Sequence, residues 1–177
     1  PMSVSLLIYL GGSLASAFML VYMLAAPPIA WYADSRGRRP WIAGGIALWS
    51  VATAAAAFTR SFAGLFAPRA AVGVGEACYG AISPSFVAER FSPKQRGRAL
   101  AVFSMAIPVG SALGYAAGGA AGAAFGWRHA LWMVGAPGLI MAALCTLLPD
   151  DPPHKNTPTA ASGYREVWAI PTFRLIT

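Results

Sequence analysis

Long apolar runs separated by short charged segments dominate the pattern of the chain. A helix that crosses a bilayer needs about 20 mostly apolar residues. Five runs fit this requirement, at roughly 6–32, 41–58, 62–91, 99–125 and 130–148. Prolines and glycines inside membrane helices are tolerated because neighbouring helices satisfy the freed backbone groups. The pattern therefore predicts an all-α membrane protein with five transmembrane helices within residues 1–149.

The composition excludes most other classes of protein. Hydrophobic residues make up 57% of the 177 residues and charged residues only 11%, whereas soluble domains carry about 25% charged residues. A nucleic-acid-binding protein can match the net charge of +7 but not this apolarity. Neither a soluble enzyme nor a disordered chain fits. Two distant histidines and two cysteines within apolar runs predict no metal site and no cofactor.

The positive charges give the predicted orientation. Ten of the thirteen Lys and Arg residues lie in alternate loops or in the tail, two lie in the other loops, and Arg69 lies inside the third run. Positive loops face the cytoplasm. We therefore expect segments 33–40 and 91–98 and the C-terminal tail to be cytoplasmic, in a plasma or inner membrane.

The predicted orientation places the start of the first span outside the cell. An odd number of spans with this start indicates a missing upstream helix, and one such helix would complete a six-helix unit. Residues 150–163 are polar and rich in proline, as in a linker. The chain then becomes apolar again at 164–177. We interpret 150–177 as a cytoplasmic linker that leads towards a missing seventh helix.

The first cytoplasmic loop has an unusual order of residues. Asp34 ends the apolar run, Gly37 permits a tight turn, and Arg38 and Arg39 follow. Charge-assisted hydrogen bonds can join helix ends across such a loop. The alternative is an ordinary positive loop on the cytoplasmic side.

This loop resembles the signature of the major facilitator superfamily, G-x-L-A-D-x-x-G-R-R/K, with Ala30 in place of the first glycine. The resemblance implies that the five runs are helices 2–6 of an N-terminal six-helix half. It also implies two partners within the transporter that this chain lacks, namely the first helix and the C-terminal six-helix half. The lipid bilayer and a small-molecule or lipid substrate complete the expected partners, and no nucleic acid is expected.

The third run carries Arg69, Gly73, Gly75 and Glu76, which resemble the fourth-helix motif R-x-x-x-G-x-G of the same superfamily. Seven residues are close to two helical turns, so Arg69 and Glu76 share a face. A charge within the membrane is a functional candidate by default. Glu76 is predicted to bind and release a coupling proton as its contact with Arg69 forms and breaks. The alternative is a structural ion pair.

Two further polar residues are assigned to the same cavity. Tyr79 follows Glu76 by one turn, where a hydrogen bond to substrate and simple core packing are both open. Ser83 falls near the same face as Glu76.

The second cytoplasmic loop resembles the superfamily's pattern of an acid, a proline and R-G-x-A, here Glu89, Pro93 and Arg96. The resemblance implies that Glu89 pairs with Arg38 and latches the cytoplasmic ends while the transporter faces outward. Exposed charges of little energetic value are the alternative.

Glycines recur every fourth residue in the fourth run, at Gly110, Gly114 and Gly118 and beyond. Such a row creates a smooth face for close helix packing.

Within the superfamily, the chain is similar to spinster-like transporters, which are proton-linked lipid carriers. The resemblance implies a secondary active transporter that moves a small organic or lipid-like solute by alternating access. An enzyme is not expected, because no nucleophile–base pair or metal cluster is visible. A structural or assembly protein of the membrane, or a truncated fragment without function, is the alternative.

Overall fold

The computed structural model of the protein describes residues 3–149, so the predicted linker at 150–177 lies outside the described residues. The helices are α1 (Val4–Arg36), α2 (Arg39–Ala56), α3 (Phe66–Gly80), α4 (Ser83–Arg90), α5 (Pro93–Phe125) and α6 (Trp127–Cys145), with one 3₁₀ turn at Ala63–Leu65. No strand occurs among the described residues. The all-helical class predicted from the sequence is confirmed.

Two chain reversals depend on glycine. Gly37 ends α1 with a φ of 97°, and Gly126 joins α5 to α6 with a φ of 84°. Residues with a Cβ rarely adopt these positive values, which glycine reaches without steric cost. The two glycines therefore allow helices to follow one another with only one or two intervening residues.

The third apolar run is not one continuous helix. It begins with the 3₁₀ turn, continues as α3, and breaks at Ala81 and Ile82 before α4 starts. Pro84 explains the break, because proline has no N–H and its ring clashes with the carbonyl one turn earlier. The sequence pattern counted 62–91 as one span that Pro84 interrupts, and the structure divides the run at this proline.

Helix α3 lies at the centre of the best-packed part of the bundle, against α1 on one side and α2 on the other. Helix α2 also packs against α6, whereas α5 contacts mainly α6 and α4. The hydrophobic core follows this arrangement and includes Ala33 of α1, Ile42 and Ile46 of α2, Cys78 of α3 and Phe86 of α4.

Glycines set the distance between α3 and its neighbours. A Cβ added to Gly75 would lie 2.7 Å from the carbonyl oxygen of Gly45 in α2. A Cβ added to Gly73 would lie 2.8 Å from the carbonyl oxygen of Phe18 in α1. The helices thus touch backbone to backbone at two crossings, as small residues permit in membrane bundles.

Three helices are long and apolar enough to cross a membrane by length and composition, within Ile8–Arg36, Pro93–Phe125 and Trp127–Cys145. Helix α2 starts with Arg39 and Pro40, and the third apolar run is divided between α3 and α4. The total of five spans therefore stays a prediction.

Candidate functional site

Glu76 lies on the exposed side of α3 and faces an open cleft. Two adjoining cavities of about 660 Å³ each share Glu76 with Ala106 and Ile107 of α5. One cavity extends between α1 and α5 towards Tyr22, and the other extends towards α2 and α6. Among residues 3–149, no hydrogen bond or salt bridge holds the Glu76 carboxylate. An acid is thus presented to a cleft that five other helices line.

Arg69 occupies a different site. It lines a smaller cavity of about 220 Å³ together with Leu14, Thr53 and Trp127. Two helical turns put Arg69 and Glu76 on one face but also separate them by roughly 10 Å along the axis. Among the described residues no salt bridge joins Arg69 to Glu76, although the charge of Arg69 still acts on Glu76 over a longer distance.

Tyr79 and Ser83, also assigned to the cavity from the sequence, have different surroundings. Tyr79 lines the cavity between α1 and α5, where its ring meets Trp49 edge to face at 5.5 Å and stacks on Phe103 at 6.0 Å. Ser83 is 3% exposed and lies outside both cavities that Glu76 lines. The helix break before Pro84 changes the register and turns Ser83 into the core, where its Oγ has no partner.

Asp34, Arg38 and Glu89 form a three-residue cluster at neighbouring ends of α1, α2 and α4, which we call the latch cluster. Arg38 donates from Nε to Asp34 Oδ1 at 2.8 Å and from Nη1 to Glu89 Oε2 at 2.7 Å. Its side chain is 7% exposed, and those of Asp34 and Glu89 are 36% and 40% exposed. One guanidinium therefore joins two helix ends that are 51 residues apart in the chain.

The latch cluster fixes the charge of Arg38. Burial alone would lower the pKa of the guanidinium, but the hydrogen bonds and charges of Glu89 and Asp34 more than offset this effect. The net pKa of Arg38 lies above its ordinary value, so Arg38 stays charged at every physiological pH. Opening of the latch cluster therefore does not involve a loss of charge on Arg38.

The other arginines predicted for gating bind backbone oxygens. Arg39 donates from Nη1 to the carbonyl oxygen of Leu148, just beyond α6, at 3.2 Å. Arg96 donates from Nε to the carbonyl oxygen of Ala88 in α4 at 2.8 Å. These two hydrogen bonds tie the loops to the ends of neighbouring helices.

The glycines of α5 have no neighbour in the described part of the chain. A Cβ added at Gly110, Gly114 or Gly118 would meet nothing within 4 Å. Gly110 lines the cavity between α3, α5 and α6, so this face borders the open cleft. The packing role predicted for the row is not fulfilled by any described residue.

Several residues of the site gave no signal in the sequence. Tyr22 of α1 brings its hydroxyl within 2.8 Å of the position that a Cβ on Gly80 would occupy. Phe103 lies on α5, far from Tyr79 in sequence. Arg128 donates to the carbonyl oxygens of Ala57 and Thr59 at 3.0 Å and joins α6 to the C-terminal end of α2.

Taken together, the apolar helices, the central acid and the charged cluster at one end define an integral membrane protein with a solute-sized cleft. The chain belongs to the major facilitator superfamily, whose family model matches residues 3–177.

The chain is similar to curated spinster proteins. It is 41% identical to the protein spinster of Drosophila melanogaster over 141 residues, which are 78% of this chain and 23% of that protein. It is 38% identical to human protein spinster homolog 1 over 146 residues, 81% of this chain and 28% of that protein. The chain thus spans about a quarter of the length of these relatives. The spinster-like resemblance seen in the sequence is confirmed.

Solved structures agree with the fold. A bacterial homologue of the human lysosomal transporter Spinster, in an inward-facing and unoccupied conformation, matches with a TM-score of 0.66 and 27% identity, over 89% of this chain and 40% of that chain. A peptide transporter bound to alafosfalin matches with a TM-score of 0.63 at 20% identity, over 90% of this chain and 35% of that chain, which supports the fold alone. The chain therefore has the fold of the corresponding segment of these transporters.

Proposed function

We propose that the protein containing this chain is a proton-coupled secondary transporter that moves a small organic or lipid-like solute by alternating access. Residues 1–149 would supply helices 2–6 of its N-terminal half, and residues 150–177 would supply the linker. Carriers of this architecture bind solute near the midplane between two halves that rock against each other. The first helix and the second half are the partners that this function requires.

One observation carries the proposal, namely the carboxylate of Glu76 in the cleft between α1, α3 and α5, which no hydrogen bond or salt bridge holds among residues 3–149. A charge within the membrane is costly and usually marks an ion or proton pathway. Aromatic and apolar side chains dominate the rest of the cavity between α1 and α5, which suits an amphipathic solute. The similarity to spinster proteins supports the same solute class by analogy.

The direct test is uptake into proteoliposomes that contain the product of the complete reading frame. A lysolipid and a sphingoid base are labelled, a pH gradient is imposed, and accumulation is followed over time. We expect the gradient to drive accumulation of at least one of these amphiphiles above its level in empty vesicles, and a protonophore to abolish this effect. Accumulation that ignores the gradient would contradict proton coupling.

We further propose that the latch cluster holds the cytoplasmic side closed while the cavity opens outward, with loops 33–40 and 91–98 in the cytoplasm. Arg38 is buried between two acids that belong to different helix ends. Movement of the end of α4 away from the ends of α1 and α2 would break the hydrogen bond between Arg38 and Glu89. The hydrogen bond between Arg38 and Asp34 would remain, because these residues lie within α1 and the loop after it.

Removing the guanidinium should therefore shift the protein towards its inward-facing state. The Arg38→Gln variant leaves two acids without their shared cation, which we expect to cost the closed state about 1–2 kcal/mol, a five- to thirtyfold change in population. The acids are partly exposed, so water limits the effect. The measurement is cytoplasmic labelling of Ser104→Cys, which lines the cavity, in a background without Cys78 and Cys145.

Arg36→Gln is the matched control, because Arg36 is the last residue of α1, is exposed, and lies over the Tyr32 ring outside the latch cluster. We expect its labelling rate to equal that of the parent. Equal rates for the Arg36 and Arg38 variants would rule out the latch.

A further inference from the structure

A groove at the junction of α4 and α5 is not lined by Glu76 but shares Phe103 with one of the cavities that Glu76 lines. Its volume is about 460 Å³. Its walls are apolar along most of their length, and its polar groups are confined to Gln95 and Arg98 on α5. The apolar walls come from Val87, Phe91, Ala99, Val102 and Phe103.

Arg98 differs from the neighbouring arginines. Arg96 and Arg90 bind backbone oxygens in α4 or close to α6. In the part of the chain that the structure describes, Arg98 has no hydrogen bond, ion pair or ring contact, and its side chain is exposed. Its guanidinium is therefore available to an anion from outside these residues.

The position of the groove along α5 indicates the kind of molecule that fits. Arg98 lies five residues after Pro93, where α5 begins, which is roughly 8 Å along the helix. This end of the bundle carries the excess of positive charge, so it lies at the cytoplasmic surface of the membrane. Val102 and Phe103 lie about one turn deeper. A fitting molecule is anionic at the membrane surface and apolar below it.

We propose that this groove binds an anionic glycerophospholipid from the bilayer, with its headgroup phosphate on Arg98 and Gln95 and an acyl chain along Val102 and Phe103. Basic pockets between membrane helices on the cytoplasmic side are suited to such headgroups. A guanidinium binds a phosphate through two parallel hydrogen bonds, which an ammonium cannot do. Glu76 does not line this groove, so lipid binding here does not require the coupling role proposed for Glu76.

Native mass spectrometry of the complete reading-frame product tests this site. Dioleoylphosphatidylglycerol and dioleoylphosphatidylcholine are titrated separately. We expect the wild-type protein to retain one phosphatidylglycerol in preference to phosphatidylcholine. Arg98→Gln should weaken phosphatidylglycerol binding about tenfold or more, because it removes charged hydrogen bonds. Val102→Trp should abolish the preference while every charge remains, because the indole fills the groove.

Lys94→Gln is the matched control, since Lys94 is one turn away on α5, carries the same charge and does not line the groove. We expect it to retain the preference. Equal weakening by the Lys94 and Arg98 variants would show diffuse attraction by surface charge and overturn the site. Phosphatidylglycerol binding that is unaffected by Val102→Trp would also overturn the site. A wild-type protein without any preference would show that another part of the polypeptide fills the groove. Each variant is compared only after its size-exclusion profile matches that of the wild type.

Discussion

Glu76→Gln is expected to abolish accumulation driven by a pH gradient and to leave solute exchange intact. Glutamine has nearly the same size as glutamate and keeps its hydrogen-bonding capacity, but it cannot take up and release a proton. Residues 3–149 contain three acids, and two of them belong to the latch cluster with Arg38. No other described carboxylate faces the cleft, so none can replace Glu76.

The measurement separates coupling from binding. Gradient-driven uptake in proteoliposomes should fall to the level of empty vesicles, while exchange of labelled for unlabelled solute without a gradient continues at a comparable rate. Tyr79→Phe is the matched control, because Tyr79 lines the same cavity one turn along α3 and its ring packing survives the change. Gradient-driven accumulation at the wild-type level in the glutamine variant would exclude Glu76 as the coupling site.

Gly45→Val should give the largest loss of stability. A Cβ at Gly45 would overlap the Cβ of Cys78 and lie 2.6 Å from the carbonyl oxygen of Gly75. Because one obstacle is backbone, the helices must separate, which we expect to cost about 3 kcal/mol, the upper part of the usual range for overpacking. The buried thiol of Cys78 reports the separation directly.

Thermal unfolding is therefore followed by maleimide labelling of Cys78 in detergent, and the midpoint should fall by several degrees or the protein should fail to elute as a single species. Gly44→Val is the matched control. Gly44 is the adjacent residue of α2, and a Cβ there would meet nothing within 4 Å. If both variants unfold like the wild type, the backbone contact between α2 and α3 does not set the stability of the bundle.

Local chemistry explains which features the sequence could predict. Asp34, Gly37 and Arg38 lie within five residues, so their loop could be recognised without knowledge of the packing. Their geometry follows from the positive φ of Gly37 and from charge-assisted hydrogen bonds. The apolar runs were likewise visible, because hydropathy is a property of each segment.

Features that depend on register or on distant segments were harder to predict. Ser83 was placed on the face of Glu76 by helical periodicity, but the break before Pro84 ends that periodicity and buries the hydroxyl. The distance between Arg69 and Glu76 needed the rise along the helix as well as the angle around it. The aromatic contact of Tyr79 with Phe103 joins α3 to α5, and the sequence of neither helix predicts it.

The short loop between α1 and α2 has a mechanical consequence. Arg38 holds the end of α4 through Glu89, and its immediate neighbour Arg39 holds the last residues after α6 through Leu148. Since these two arginines share a peptide bond, a tilt of α4 that strains the first contact also pulls on the second. We therefore expect the loop to couple movement of α4 to the residues just after α6 through covalent bonds.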